Sequence, residues 1–183
     1  MTDLRSLSSK ALDDVENVLN SLDPNSADQL AGEIMNARRI VCCDVGRSGL
    51  TMRALCLRLL HLGFDAHVVS DATTPPIGAG DLFIASSGWG TGATTGALLN
   101  VAKRDGARTL LITAQPRTDG AKQVDVTITL SIPEIDVTPP DCLPNDSLFE
   151  IVALLLVDLV AIILRGKTNQ TTEDMRQRQT NLE

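Results

Sequence analysis

The sequence predicts an α/β protein, a three-layer sandwich around a five-stranded parallel sheet, and three observations carry that expectation. Short apolar runs of strand length alternate with stretches of helical periodicity, the order that builds parallel strands joined by right-handed crossovers. Two of the strand-to-helix junctions are rich in glycine and hydroxyl side chains. Aromatic residues are scarce, with three Phe, one Trp and no Tyr, so the core must come from Leu, Ile, Val and Ala. A chain of 183 residues has room for one domain with a full core and little for a second.

Taken in order, the segment 4–22 places Leu4, Leu7, Leu12, Val15, Leu19 and Leu22 at roughly helical spacing. Pro24 ends it, and Asn25 or Ser26 can cap a second helix running to about Ala37. The period then changes. Residues 39–45 form a short, mostly apolar run, as a strand covered on both faces should. Gly46-Arg47-Ser48-Gly49 follows, and a helical pattern of Leu50, Met52, Leu55, Leu59 and Leu60 runs on to Gly63. A second strand is expected at 65–69, then a polar turn over 71–76. The pattern repeats with a third strand at 81–86, a glycine-rich loop at 87–92 and a helix at 93–104. A fourth strand at 109–113, a short helix after Thr118 and a fifth strand at 124–130 complete the sheet.

Residues 131–146 hold Pro133, Pro139, Pro140 and Pro144 without periodicity, and so long a loop inside a compact domain is functional or partly disordered. The run 148–164 is apolar except for Glu150 and Asp158. It is short for a membrane span and reads as a buried helix. It lacks a polar face broad enough for solvent, which places it centrally or against another subunit and favours a homo-oligomer. A polar tail, 166–183, closes the chain. The expected organisation is a single domain of N-terminal helices (1–37), an α/β core (38–165) and this tail.

The net charge of −7 argues against nucleic acid, whose recognition needs a dense Lys/Arg footprint. A small phosphate remains compatible, because a loop of N–H groups binds it whatever the net charge. Four cysteines and two histidines show no CxxC and no metal-ligand spacing, so no metal and no cofactor is expected. Cys42, Cys43, Cys56 and Cys142 read as free thiols in a reducing compartment. No basic segment followed by an apolar stretch opens the chain, so a cytoplasmic location is expected.

With strand order 2-1-3-4-5, the order reverses between the first and third strands, and ligands of open parallel sheets bind at that reversal. Those are the two strands followed by glycine-rich loops. Gly46 and Gly49 allow a tight turn, and the helix opening near Ser48 offers free N–H groups and the positive end of its dipole. Ser48 adds a hydroxyl and Arg47 a charge. In the second loop Ser87, Thr91, Thr94 and Thr95 surround Gly88, Gly90 and Gly92, with Trp89 between them. Two such loops converging make a nest for a monoester phosphate. Each loop alone equally fits an ordinary strand-to-helix turn. Neither GxGxxG nor GxxxxGK[ST] occurs, so dinucleotide and P-loop sites are poorer matches.

On the residues Gly46-Arg47-Ser48-Gly49, Arg58-Leu59-Leu60-His61-Leu62-Gly63, Gly80-Asp81-Leu82-Phe83-Ile84-Ala85, Leu148-Phe149-Glu150 and Asn181-Leu182-Glu183, the chain resembles the SIS (sugar isomerase) domain family. Within it, the similarity is to the 6-phospho-3-hexuloisomerases. The resemblance implies a flavodoxin-like topology, a homotetramer, and interconversion of arabino-hex-3-ulose 6-phosphate and fructose 6-phosphate in the ribulose monophosphate pathway. It implies Glu150 as the catalytic base and Ser48 and Ser87 as phosphate donors, with Thr91 or Thr94 standing in for a lost one. It departs at the second loop, where the family's Ser-Gly-Ser-Gly-Glu-Thr is Ser87-Gly88-Trp89-Gly90-Thr91-Gly92. It departs again in the tail, where Gln179 replaces a family histidine and can hydrogen-bond a sugar oxygen without carrying a proton near neutral pH. These departures leave two other readings open: a non-catalytic module that senses a sugar phosphate or other ligand, and an isomerase of altered substrate with Trp89 packed on a sugar face.

Overall fold

The structure, a computed structural model, describes residues 3–43, 45–133 and 143–182. Residues 134–142, which carry Pro139, Pro140 and Cys142 of the long loop, lie outside the described residues, as does Asp44. The apolar runs become the strands β1 (Ile40–Cys42), β2 (Ala66–Val68), β3 (Leu82–Ser86), β4 (Arg108–Thr113) and β5 (Val126–Thr129). They form one parallel sheet in the order β2-β1-β3-β4-β5, as the sequence predicts. Ile40 sits opposite both Ala66 and Leu82, so β1 is flanked on both sides.

The strands are continuously apolar because helices cover both faces. Ile40, Cys42, Leu82, Ile84, Leu110, Ile112 and Ile128 pack on one face against α1 (Leu4–Asn20), α2 (Ser26–Asn36), α3 (Ser48–His61) and α5 (Asn145–Lys167). Val41, Cys43, Phe83, Ala85 and Leu111 pack on the other, under α4 (Ala93–Arg104). Fully buried side chains such as Ile84, Leu110 and Ile112 each stabilise by about 1.5–3 kcal/mol relative to exposure. A 3₁₀ turn, Ala121–Gln123, follows Thr118, and α6 (Thr172–Gln177) gives the tail a short helix. Thr171 and Asp174 form a reciprocal cap at its start.

The strands β2 (expected 65–69) and β5 (expected 124–130) are shorter than their apolar runs, and two further differences bear on the site. The first strand pairs over fewer residues than 39–45, because the chain turns away through Gly46, whose φ is +66°. The apolar run 148–164 is only the middle of α5. Asp146 in the first turn and Arg165 and Lys167 in the last complement the helix dipole and extend it at both ends. By length and composition alone α5 could cross a membrane. Here Phe149, Val152, Leu156, Val160 and Leu164 are buried against the domain, while Ile151, Leu154, Leu155, Leu159 and Ile162 form an exposed apolar stripe at helical spacing.

A buried carboxylate fixes the starts of the two strands that flank the sheet's reversal. Asp81 is 1% exposed and accepts from Arg38 Nε and Nη2, both at 3.0 Å, and from the Gly78 N–H at 2.9 Å. Burial alone would raise its pKa; the Arg38 guanidinium and the Gly78 N–H outweigh that and hold it below the usual carboxylate value.

Candidate functional site

The carboxyl ends of β1 and β3 open into a crevice of about 230 Å³, bordered by the two glycine-rich loops and the first turn of α5. From the first loop come Gly46, Arg47 and Ser48. The Gly49 N–H bonds the carbonyls of Val45 (3.2 Å) and Gly46 (3.1 Å), which starts α3 at Ser48 with its amide end at the crevice. From the second come Ser86, Ser87, Gly88, Trp89 and Gly92. Here the Ser87 N–H bonds Ile112 O (2.9 Å) and the Gly90 N–H bonds Ser87 O (3.3 Å). Gly90 sits at φ +82°, a backbone state that favours glycine. Gly92 is the N-cap of α4.

Helix α5 closes the third side. A Cβ at Gly88 would lie 3.2 Å from the Phe149 ring, so the absence of a side chain there lets α5 settle on the loop. That contact brings Asp146, Phe149 and Glu150 to the crevice. Three helix N-termini therefore meet around one opening, each with unsatisfied N–H groups and a positive dipole end. The Glu150 carboxylate is mostly buried and ion-paired with Arg47, whose side chain is largely exposed. Arg47 Nη2 also reaches the Ser147 hydroxyl at 3.3 Å. Trp89 stands at the mouth, 70% exposed.

The structure thus brings together Gly46, Arg47, Ser48, Ser87, Gly88, Trp89 and Glu150. It places the other expected residues elsewhere. Thr91 faces away and lines a separate cavity with Gly96 and Gly120. Its Cβ is 2.7 Å from where a Gly120 Cβ would stand. Thr94 is exposed on α4 away from the crevice, whereas its buried neighbour Thr95 borders it. Gln179 lies in the tail. Arg178 Nη1 donates to His61 O (2.9 Å) and to Gln170 Oε1 (2.8 Å), and the guanidinium rests against Gly63. The tail is therefore fastened to the carboxyl end of α3, the length of that 14-residue helix, about 20 Å, from the crevice of its own subunit.

Sequence reasoning missed Ser86 and Asp146, and named Thr95 in the second loop and Phe149 beside Glu150 without assigning either to the site. The signal for Thr95 was present: with Leu99 and Ala102 it occupies i, i+4 and i+7 of the buried α4 stripe. Ser86 could be read as the last inward position of a strand whose Leu82 and Ile84 point the same way.

Fold and crevice together define a class, the open parallel α/β domains that present helix amide ends to an anionic ligand at the sheet's reversal. The SIS domain family model matches residues 33–157, and the chain belongs to that family. It is 33% identical over 177 residues to 3-hexulose-6-phosphate isomerase of Bacillus subtilis (strain 168), with 94% of this chain and 95% of that protein covered. It is 33% identical over 175 residues to 3-hexulose-6-phosphate isomerase of Mycobacterium gastri, covering 93% and 87%. The crystal structure of a hypothetical protein from Methanococcus jannaschii superposes with TM-score 0.82 at 28% identity over the whole of both chains. That structure was reported to infer a 3-hexulose-6-phosphate isomerase function.

Proposed function

We propose that this protein is a sugar-phosphate isomerase that interconverts arabino-hex-3-ulose 6-phosphate and fructose 6-phosphate. The observation that carries the proposal is the meeting of the Glu150 carboxylate with both glycine-rich loops in one crevice. The near full-length likeness to proteins named 3-hexulose-6-phosphate isomerase supports it.

The reaction needs an anchor for the phosphate, one base beside two adjacent carbons, and a partner for the oxygen that gains charge. The helix amides, with Ser48 and Ser87, serve as the anchor, since a helix N-terminus accepts an oxyanion without a formal cation. Glu150 takes the proton from C2, and the carbonyl π electrons move onto O3 to give an enediol(ate) across C2 and C3. The O2 proton passes to O3, directly or through water, and as Glu150 returns its proton, or one exchanged with water, to C3 the carbonyl forms on C2. Arg47, already paired with the carboxylate, is positioned to orient it and to meet the developing oxyanion.

The test is turnover of arabino-hex-3-ulose 6-phosphate, read through a coupled fructose 6-phosphate assay. General-base loss costs on the order of a hundredfold or more, so E150Q should fall by at least about that factor while remaining folded. An E150Q variant as active as wild type overturns the assignment. A folded wild type that binds fructose 6-phosphate and never isomerises it selects the sensing module instead, a reading that Trp89 at the crevice mouth favours. The exposed α5 stripe supports a homo-oligomer, a tetramer by family likeness, in which Gln179 could serve only a neighbouring subunit's crevice. A cytoplasmic location in a formaldehyde-fixing sugar-phosphate route completes the proposal.

A further inference from the structure

The Ser86 hydroxyl has no hydrogen-bond partner among the described residues, and its oxygen is buried. The residue is 5% exposed and borders the crevice. Its place on β3 is one residue before Ser87. Strand alternation puts its side chain on the sheet face of Leu82 and Ile84, the face that carries α5 and therefore Phe149 and Glu150.

A buried hydroxyl without a partner is costly, and native interiors pair such groups almost without exception. Among the described residues, the neighbouring inward positions of β3 and β4 on this face are apolar: Leu82, Ile84, Leu110 and Ile112. Alanine would fill the Ser86 site at no polar cost. A hydroxyl held there, on the floor of the crevice, needs a partner that the described residues of the free chain do not supply.

We propose that Ser86 is a ligand-recognition residue whose hydroxyl hydrogen-bonds a sugar oxygen of the bound sugar phosphate. The inference rests on the reading of the crevice as a sugar-phosphate site. With the helix amides, Ser48 and Ser87 assigned to the phosphate, the Ser86 hydroxyl is left for a carbonyl or hydroxyl oxygen of the sugar. Its position on the Glu150 side of the sheet puts it with the group proposed to work on the carbon skeleton.

The experiment measures the affinity of wild type and Ser86→Ala for fructose 6-phosphate and for inorganic phosphate by isothermal titration, together with the unfolding temperature of each protein without ligand. A neutral hydrogen bond lost to a buried ligand corresponds to about a five- to tenfold weakening. That loss is expected for fructose 6-phosphate with inorganic phosphate unchanged and with the ligand-free unfolding temperature equal or higher. A structural role would instead lower that temperature and leave both affinities in place. Equal weakening of the two ligands, or of neither, overturns the proposal. Wild type that does not bind fructose 6-phosphate overturns this inference and the isomerase reading together. Wild type that binds it without turnover overturns only the latter.

Discussion

Asp81→Asn tests whether the flanks of the crevice are set from the far end of the strands. In wild type one buried carboxylate receives two guanidinium bonds and one backbone N–H. Asparagine has the same shape but a single acceptor oxygen, so at least one donor then faces an NH₂ group. The lowest-cost arrangement keeps the Gly78 N–H and Arg38 Nη2 on the remaining oxygen and leaves Arg38 Nε to water. That is feasible because the Arg38 side chain is 64% exposed. Exposure also screens the ion pair, so the full cost of breaking a buried pair does not apply. One charge-assisted hydrogen bond lost and one weakened come to about 2 kcal/mol, or roughly 4–8 °C in unfolding temperature for a chain of this size.

The pH dependence gives this prediction its sign. The folded-state pKa of Asp81 is depressed, so its contribution is complete above the unfolded carboxylate value of about 3.9 and disappears as pH falls through the folded value. Urea unfolding of wild type and Asp81→Asn across pH 7 to 3 should show a full difference at pH 7 that narrows below about pH 4. A difference under roughly 0.5 kcal/mol at pH 7, or one that stays constant into acid, refutes the reasoning.

Two further perturbations address the loop and the helix. Gly90→Ala puts a Cβ on a residue at φ +82°, 2.6 Å from Thr118 Oγ1 and 2.8 Å from Thr118 Cγ2. It should cost about 1–3 kcal/mol and weaken ligand binding, with part of the loss recovered by adding Thr118→Ala; chemical denaturation of the single and double variants measures both. Leu155→Lys with Ile162→Lys on the exposed α5 stripe should shift the protein to a smaller species in light scattering, with little change in monomer stability, since neither side chain is buried in its own subunit.

Most of the sheet could be read in advance because its chemistry is local. Five apolar runs bounded by Gly, Asp and Pro have few alternatives once helices separate them, and α4 begins and ends where its pattern does. The two loops were visible for the same reason: Gly46, Ser48, Ser87 and Gly88 follow strands directly. What sequence could not supply was direction and distance. Thr91, Thr94 and Thr95 are near-equivalent in composition, yet Gly120 receives the first, solvent the second and the crevice the third. The Arg47–Glu150 pair joins residues 103 positions apart and exists only because α5 crosses the mouth of the sheet. Gln179 stands where the family has a histidine, but the hold of Arg178 on His61 O and Gly63 decides where it lies.

The scarcity of aromatic side chains has an optical consequence. The chain has one tryptophan and no tyrosine, and that tryptophan stands at the mouth of the crevice. Excited at 295 nm or at 280 nm, the protein emits from Trp89 alone, so its fluorescence is a spectrum of the site with no background from the rest of the fold. A ligand that covers the indole should move the emission to shorter wavelength, and one that binds elsewhere should leave it unchanged. The unmodified protein therefore carries its own reporter of occupancy.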